Sequence, residues 1–149
     1  MRLSTKSRYG LRAMIDIASN YNGSPAQIQD ISSRQHISPR YLEQIFQRLK
    51  GAGLLKSKRG PQGGYCLSRR PEEITVLEIL NATEQDILLV ECSGKSGKKR
   101  KRIIKCPDEG RCVTQTVWED ANRLLDTFFN SLTLATLRQR GMDMGITGG

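Results

Sequence analysis

Three cysteines stand close together in one stretch of this 149-residue chain, Cys92, Cys106 and Cys112 in "ECSGKSGKKRKRIIKCPDEGRC". Thirteen residues separate the first two, and five separate the last two. Thiolates are soft ligands, suited to iron–sulfur clusters or to zinc. The first gap is long for a compact zinc knuckle, and there is no CxxC pair, which disfavours a structural zinc site. Three thiolates leave a metal site one ligand short. An incomplete set makes occupancy labile and potential tunable, which suits a sensor. The residues alone leave an iron–sulfur cluster, zinc or thiol oxidation open, with structural zinc disfavoured. The Lys/Arg run over 95–105 reads as a solvated insertion. Contact with phosphates, or compensation of a thiolate cluster's charge, are its other readings. Cys66 stands apart, after Tyr65, and reads as a small buried hydrophobe.

Charge points to a partner. Residues 1–70 hold thirteen lysines and arginines against Asp16, Asp30 and Glu43, whereas the rest of the chain is close to neutral. A compact basic unit attracts a polyanion and speeds encounter with it. Anionic membrane is the rival, but no basic amphipathic helix with bulky apolar anchors is present. No run of about 18 apolar residues suggests a membrane span. The start, MRLSTKSRYG, lacks the apolar stretch of a secretion signal. The expected location is therefore cytoplasmic, and a disulfide framework is not expected.

The elements that would position this chemistry are mostly helical. Ser4 can cap a first helix reaching about Tyr21, with Leu11, Met14, Ile15 and Ala18 on one face. "YNGSP" breaks it. A short helix with Ile28 and Ile31 follows, and then the turn "QHIS". The next helix has Ser38 as N-cap and Pro39 in its first turn. Leu42, Ile45, Phe46 and Leu49 share one face. Glu43, Gln44 and Gln47 lie within about 60° of Arg40 on the opposite face. Two helices joined by a tight turn, the second presenting Arg, Glu and Gln outward, match a DNA recognition helix. Arg can pair with guanine, Gln with adenine, and Glu can accept from cytosine N4. An ordinary amphipathic surface helix has the same periodicity.

The following residues tip the balance. "LLKSKRGPQGGYCLS" reads as two short strands around a glycine-rich turn, with Lys56, Lys58 and Arg59 leading into it. Glycine permits close approach of backbone to a groove, and Arg59 at such a tip suits a narrow minor groove. His36, the chain's one histidine, reads as a solvated turn residue. Beyond Pro71 a short helix starts near Thr75, with Val76, Leu77, Ile79 and Leu80 set to pack on the basic unit. A longer helix runs from Val113, striped with Val117, Ala121, Leu124, Leu125, Phe128 and Leu132, and suggests a dimer seam. No phosphate loop, HExxH or nucleophile elbow is present, so an enzyme is not expected.

"MRLSTKSRYGLRAM", "ISPRYLEQIFQRLKGAGLLKSKRGPQGGYCLS" and the cysteine segment closely resemble the IscR-like family of bacterial dimeric winged-helix transcription regulators. That family includes nitric-oxide sensors with a cluster and a cysteine-metabolism regulator without one. The resemblance implies a mainly α fold with a small β-hairpin wing, classed α+β. It implies a winged helix-turn-helix DNA-binding domain over 1–71, a linking helix in 72–90, a cluster-binding loop over 91–112 and a dimerisation helix over 113–137. A disordered tail is expected over 138–149. The resemblance implies a homodimer on a double-stranded operator, contacting it through Ser38, Arg40, Tyr41, Glu43, Gln44, Arg59 and Gly60. It implies discrimination between two classes of site at Glu43, and control of cluster-biogenesis genes. It implies an iron–sulfur cluster of the [2Fe-2S] type at Cys92, Cys106 and Cys112, with [4Fe-4S] as the alternative type. The alternative functions are a nitric-oxide-sensing cluster regulator, or a cluster-free repressor gated by thiol oxidation or by a cluster-assembly or cysteine-metabolism protein. The family's fourth ligand is a histidine, at the position held here by Gln115. The fourth group is therefore open among Gln115, Glu91, Asp108, a residue of the partner subunit and an exogenous thiolate. The N-terminal aspartate used by the nitric-oxide sensors has no counterpart in KSRYG.

Overall fold

The computed structural model describes residues 3–20, 24–84, 87–90 and 111–146. Cys92, Cys106 and the Lys/Arg run lie outside the described residues. Helix α1 spans Thr5–Ser19, α2 Ile28–Gln35 and α3 Pro39–Gly51; strands β1 and β2 span Leu55–Lys58 and Gly64–Leu67. After a 3₁₀ turn at Pro71–Glu73 come α4 (Val76–Thr83), α5 (Val113–Ser131) and α6 (Leu134–Asp143).

Local chemistry sets the boundaries. Ser4 accepts from the Ser7 amide and starts α1. Ser38 accepts from the Tyr41 amide, with Pro39 next, and starts α3. Thr75 and Glu78 form a capping box that starts α4. Each supplies an acceptor to an amide that has no partner within the helix. His36 closes α2 in the left-handed region, at φ 54°.

The core is built on α1. Ala13, Met14, Ile17 and Ala18 are buried together with Ile31, Leu42, Ile45, Phe46, Leu49 and Leu54. The buried face of α1 is turned from the expected one, since Leu11 and Ile15 are only partly buried. The reason is that α1 packs against α2, α3, α4 and α6 at once, and its small residues permit close approach. The wing is an antiparallel pair in the register Leu55–Leu67, Lys56–Cys66, Ser57–Tyr65 and Lys58–Gly64. Tyr65 stacks edge-on against Phe46 at 4.8 Å. It also exchanges two 2.8 Å backbone hydrogen bonds with Ala26. Gly64, at φ 151°, passes so near this bridge that a Cβ would lie 2.4 Å from the Ala26 carbonyl oxygen. Cys66 is half-buried rather than buried, because β2 is an edge strand with one face open.

The C-terminal part departs from expectation. The helix begun at Val113 stops at Ser131, and a second one runs on to Asp143. Helix therefore covers part of the stretch expected to be a disordered tail. Thr133 caps the new helix, and Leu134 is fully buried in the main core. The Val76 amide donates to the Leu132 carbonyl at 2.8 Å, and the Leu134 amide to the Ile74 carbonyl at 3.0 Å. These bonds and the apolar anchor overcome the weak apolar content of "RQRGMDMG". Among the described residues, no helix is long and apolar enough to cross a membrane.

Candidate nucleic-acid interface

The helix-turn-helix is held by a buried carboxylate. Asp16 on α1 is 3% exposed. It accepts from Arg34 Nη2 at 2.7 Å and Nε at 3.0 Å, and from Gln35 Nε2 at 2.9 Å. Arg12 Nη2 donates to the Gln35 carbonyl at 2.6 Å. The hydrogen bond to Asp16, partly offset by burial, raises the Arg34 pKa above its ordinary value. A buried carboxylate with three donors is well satisfied, and losing one partner leaves an unpaired charge. The end of α2 is thereby fixed to α1, and the turn at His36 delivers α3 at a defined angle.

On α3, Leu42, Ile45, Phe46 and Leu49 are buried, while Arg40, Glu43, Gln44 and Gln47 are exposed. Ser38 is exposed beside them, and Tyr41 is half-buried, its ring edge-on to Tyr9 at 5.9 Å. The wing follows directly. Its register puts Lys56 and Lys58 on one face, opposite the face of Leu55, Tyr65 and Leu67 that joins the core. Arg59 and Gly60 are exposed at the tip, Gly60 with φ 109°. Lys50, in the last turn of α3, donates to Ser57 Oγ at 2.8 Å and ties helix to wing. All seven residues expected at DNA thus belong to α3, its cap and the adjoining hairpin tip.

The cysteine segment is described at its two ends. Ile87 is buried with Val76 and Leu80 against Phe129 and Leu132. The Leu89 amide donates to Asn122 Oδ1 on α5 at 3.1 Å. The chain therefore enters the segment from the side of α5 and leaves it into α5. Cys112 is the N-cap residue of that helix, its sulfur 2.9 Å from Thr114 Oγ1. The positive end of the helix dipole favours an anionic sulfur there. Gln115, one turn on, donates to Glu119 Oε1 at 3.0 Å. Among the described residues no group of three metal-ligating side chains comes together.

A docked recognition helix with an exposed polar face, beside a basic glycine-tipped hairpin, defines a winged helix-turn-helix DNA-binding protein. The chain belongs to the Rrf2 family: residues 3–140 match the family model described as an iron-dependent transcriptional regulator. The HTH-type transcriptional regulator IscR of Serratia proteamaculans is 41% identical over 137 residues, covering 92% of this chain and 79% of that one. Its namesake in Yersinia pestis is 40% identical over the same length and shares. Among solved structures, T. potens IscR superposes with a TM-score of 0.72 at 33% identity, covering 95% of this chain and 88% of that chain. CymR, the global cysteine regulator of B. subtilis, gives 0.69 at 29% identity over 94% and 98%. The chain is a transcriptional regulator of this family and is similar to IscR.

Proposed function

We propose that this protein is a homodimeric regulator that senses iron–sulfur cluster status through Cys92, Cys106 and Cys112 and controls cluster-biogenesis genes. The observation that carries DNA reading is the exposed row Arg40, Glu43 and Gln44 on a helix whose other face is fully buried. Arg59 and Gly60 add a groove contact from the wing, and Ser38 and Tyr41 lie at the helix start for phosphates.

The donor set fits a cluster in its chemistry. Thiolates suit iron, and Cys112 sits where a helix terminus favours the anionic sulfur. Cys92, Cys106 and Cys112 would hold the cluster, with Gln115 near the last of them. When bound, a cluster supplies a centre that responds to iron and oxidants. The protein's own part is to link the ends of the segment to α4 and α5.

Dimerisation is supported by α5. No residue of this 19-residue helix is buried in the single chain. Val113, Val117, Leu124 and Phe128 are 81%, 55%, 72% and 53% exposed. An apolar stripe left open at this spacing calls for a second copy. Two recognition helices then meet two half-sites on one face of the duplex.

Gln115 at the family's histidine position, and the likeness to CymR, favour one second reading: a cluster-free repressor gated by thiol oxidation or a protein partner. Anaerobic reconstitution separates the two. The cluster reading expects visible iron–sulfur absorption that is lost in each single Cys→Ala variant. Absence of those bands leaves the cluster-free reading, whereas their persistence in all three variants overturns the assignment of the cluster to these cysteines.

A further inference from the structure

Three helices, α1, α3 and α4, meet at one polar junction. Ser7 on α1 and Thr83 on α4 are 0% and 1% exposed. Thr83 Oγ1 lies 3.2 Å from Ser7 Oγ and 2.9 Å from the Ile79 carbonyl. Ser7 Oγ donates to Glu84 Oε1. The Ser4 amide donates to that same oxygen at 2.6 Å. On α3, Arg48 Nη1 donates to the Thr83 carbonyl at 3.3 Å, one of the carbonyls that an α-helix leaves unpaired at its C-terminus.

Packing at the junction is tight. A Cβ on Gly10 of α1 would lie 2.9 Å from Thr83 Cγ2 and 3.4 Å from Ile45 Cγ2. The glycine lets α1 touch the end of α4 and the buried face of α3 at one point. A shift of Thr83 toward α1 therefore meets no slack. Above this point is a cleft of about 630 Å³ that Tyr41, Arg48, Thr83 and Glu84 line together. In sequence, Glu84 comes eight residues before Cys92.

We propose that Arg48 is a positioning residue for the recognition helix. By this reading it couples α3 to the end of α4, and so carries the state of the cysteine segment to the DNA-reading face. This rests on the sensor reading above. It gives Arg48 a role apart from the DNA contacts of Arg40, Glu43 and Gln44, although all four lie on one helix. The physical basis is that Arg48, in the last turn of α3, donates to a backbone carbonyl at the end of α4 and lies near the Glu84 carboxylate that follows it.

The test uses the full-length protein. Hydrogen exchange is compared in wild type, Arg48→Met and Thr83→Val. Arg48→Met should speed exchange over residues 79–84, and Thr83→Val should speed it over 45–51. Each effect should be about fivefold, as for losing one hydrogen bond. Changes confined to the helix that carries the substitution would overturn the coupling.

Operator affinity is then measured by anisotropy with and without replacement of Cys92, Cys106 and Cys112 by Ala. The change on replacement should shrink to less than half its wild-type factor in Arg48→Met, and recover in Arg48→Lys. An undiminished change in Arg48→Met overturns the proposal. So does a salt dependence that falls by about one phosphate contact, since Arg48 would then be touching DNA. If cysteine replacement leaves wild-type affinity untouched, the sensor reading fails and transmission from the cysteines with it. The exchange data still decide the positioning role.

Discussion

Glu43 is the one acid among the exposed polar residues of α3, at the edge of the face that it shares with Arg40, Gln44 and Gln47. A carboxylate facing DNA needs a cytosine amino group, or it is repelled by phosphate. Glu43→Ala should therefore relax the choice between operators with and without that cytosine, with little loss of overall affinity. Competition binding between two such operators checks it, and an unchanged preference would count against the role. A second carboxylate makes a pH prediction. Partial burial opposes ionisation of Glu84, but donors from Ser7 and Ser4 and the nearby Arg48 outweigh it and hold its pKa below the usual carboxylate range. A depressed pKa adds stability that is fully present above the unfolded value and is lost as pH falls through the folded one. Glu84→Gln should remove that acid-side dependence, as read by urea unfolding from neutral to acid pH. These residue types were legible from sequence alone. The partners of Glu84 were not, because Ser4, Ser7 and Arg48 lie far from it along the chain.

At the scale of elements, the wing depends on glycine. Gly64→Ala puts a methyl group into the Ala26 carbonyl at a φ that side chains rarely adopt. The expected cost is about 1–3 kcal/mol, read from the urea midpoint, with weaker operator binding as the wing loses its bridge to Ala26. The helix starts at Ser4, Ser38 and Thr75 were visible in sequence because capping is local chemistry. The turn of α1 about its own axis was not. Periodicity selects an apolar face only when one side of a helix is buried, and α1 is packed from several directions. For the same reason α6 was missed. Its stability comes from Leu134 in the core and from hydrogen bonds to Ile74 and Val76, which no local propensity encodes.

At the scale of the whole molecule, α5 and α6 divide two tasks. Helix α6 closes the winged domain, whereas α5 leaves its apolar stripe open. Leu124→Glu with Phe128→Glu should turn a dimer into monomers by sedimentation. Operator affinity should fall by about 100-fold or more as the second half-site contact is lost. The monomer should still fold, since neither side chain is buried in the single chain, and its unfolding midpoint should fall only by the lost association and no longer vary with protein concentration. Unchanged sedimentation would place the dimer seam elsewhere.

The sequence alone determined what is local or periodic: the caps, the buried and exposed polar faces of α3, the glycine-tipped hairpin, the basic first half and the cysteine spacing. These follow from contacts between near neighbours and from the fixed pitch of a helix. Only the tertiary structure decided that α6 belongs to the DNA-binding unit, that Asp16 sets the turn through Arg34 and Gln35, and that Arg48 faces the end of α4. Each joins residues far apart in the chain, and such pairings form only when the core brings helix ends together.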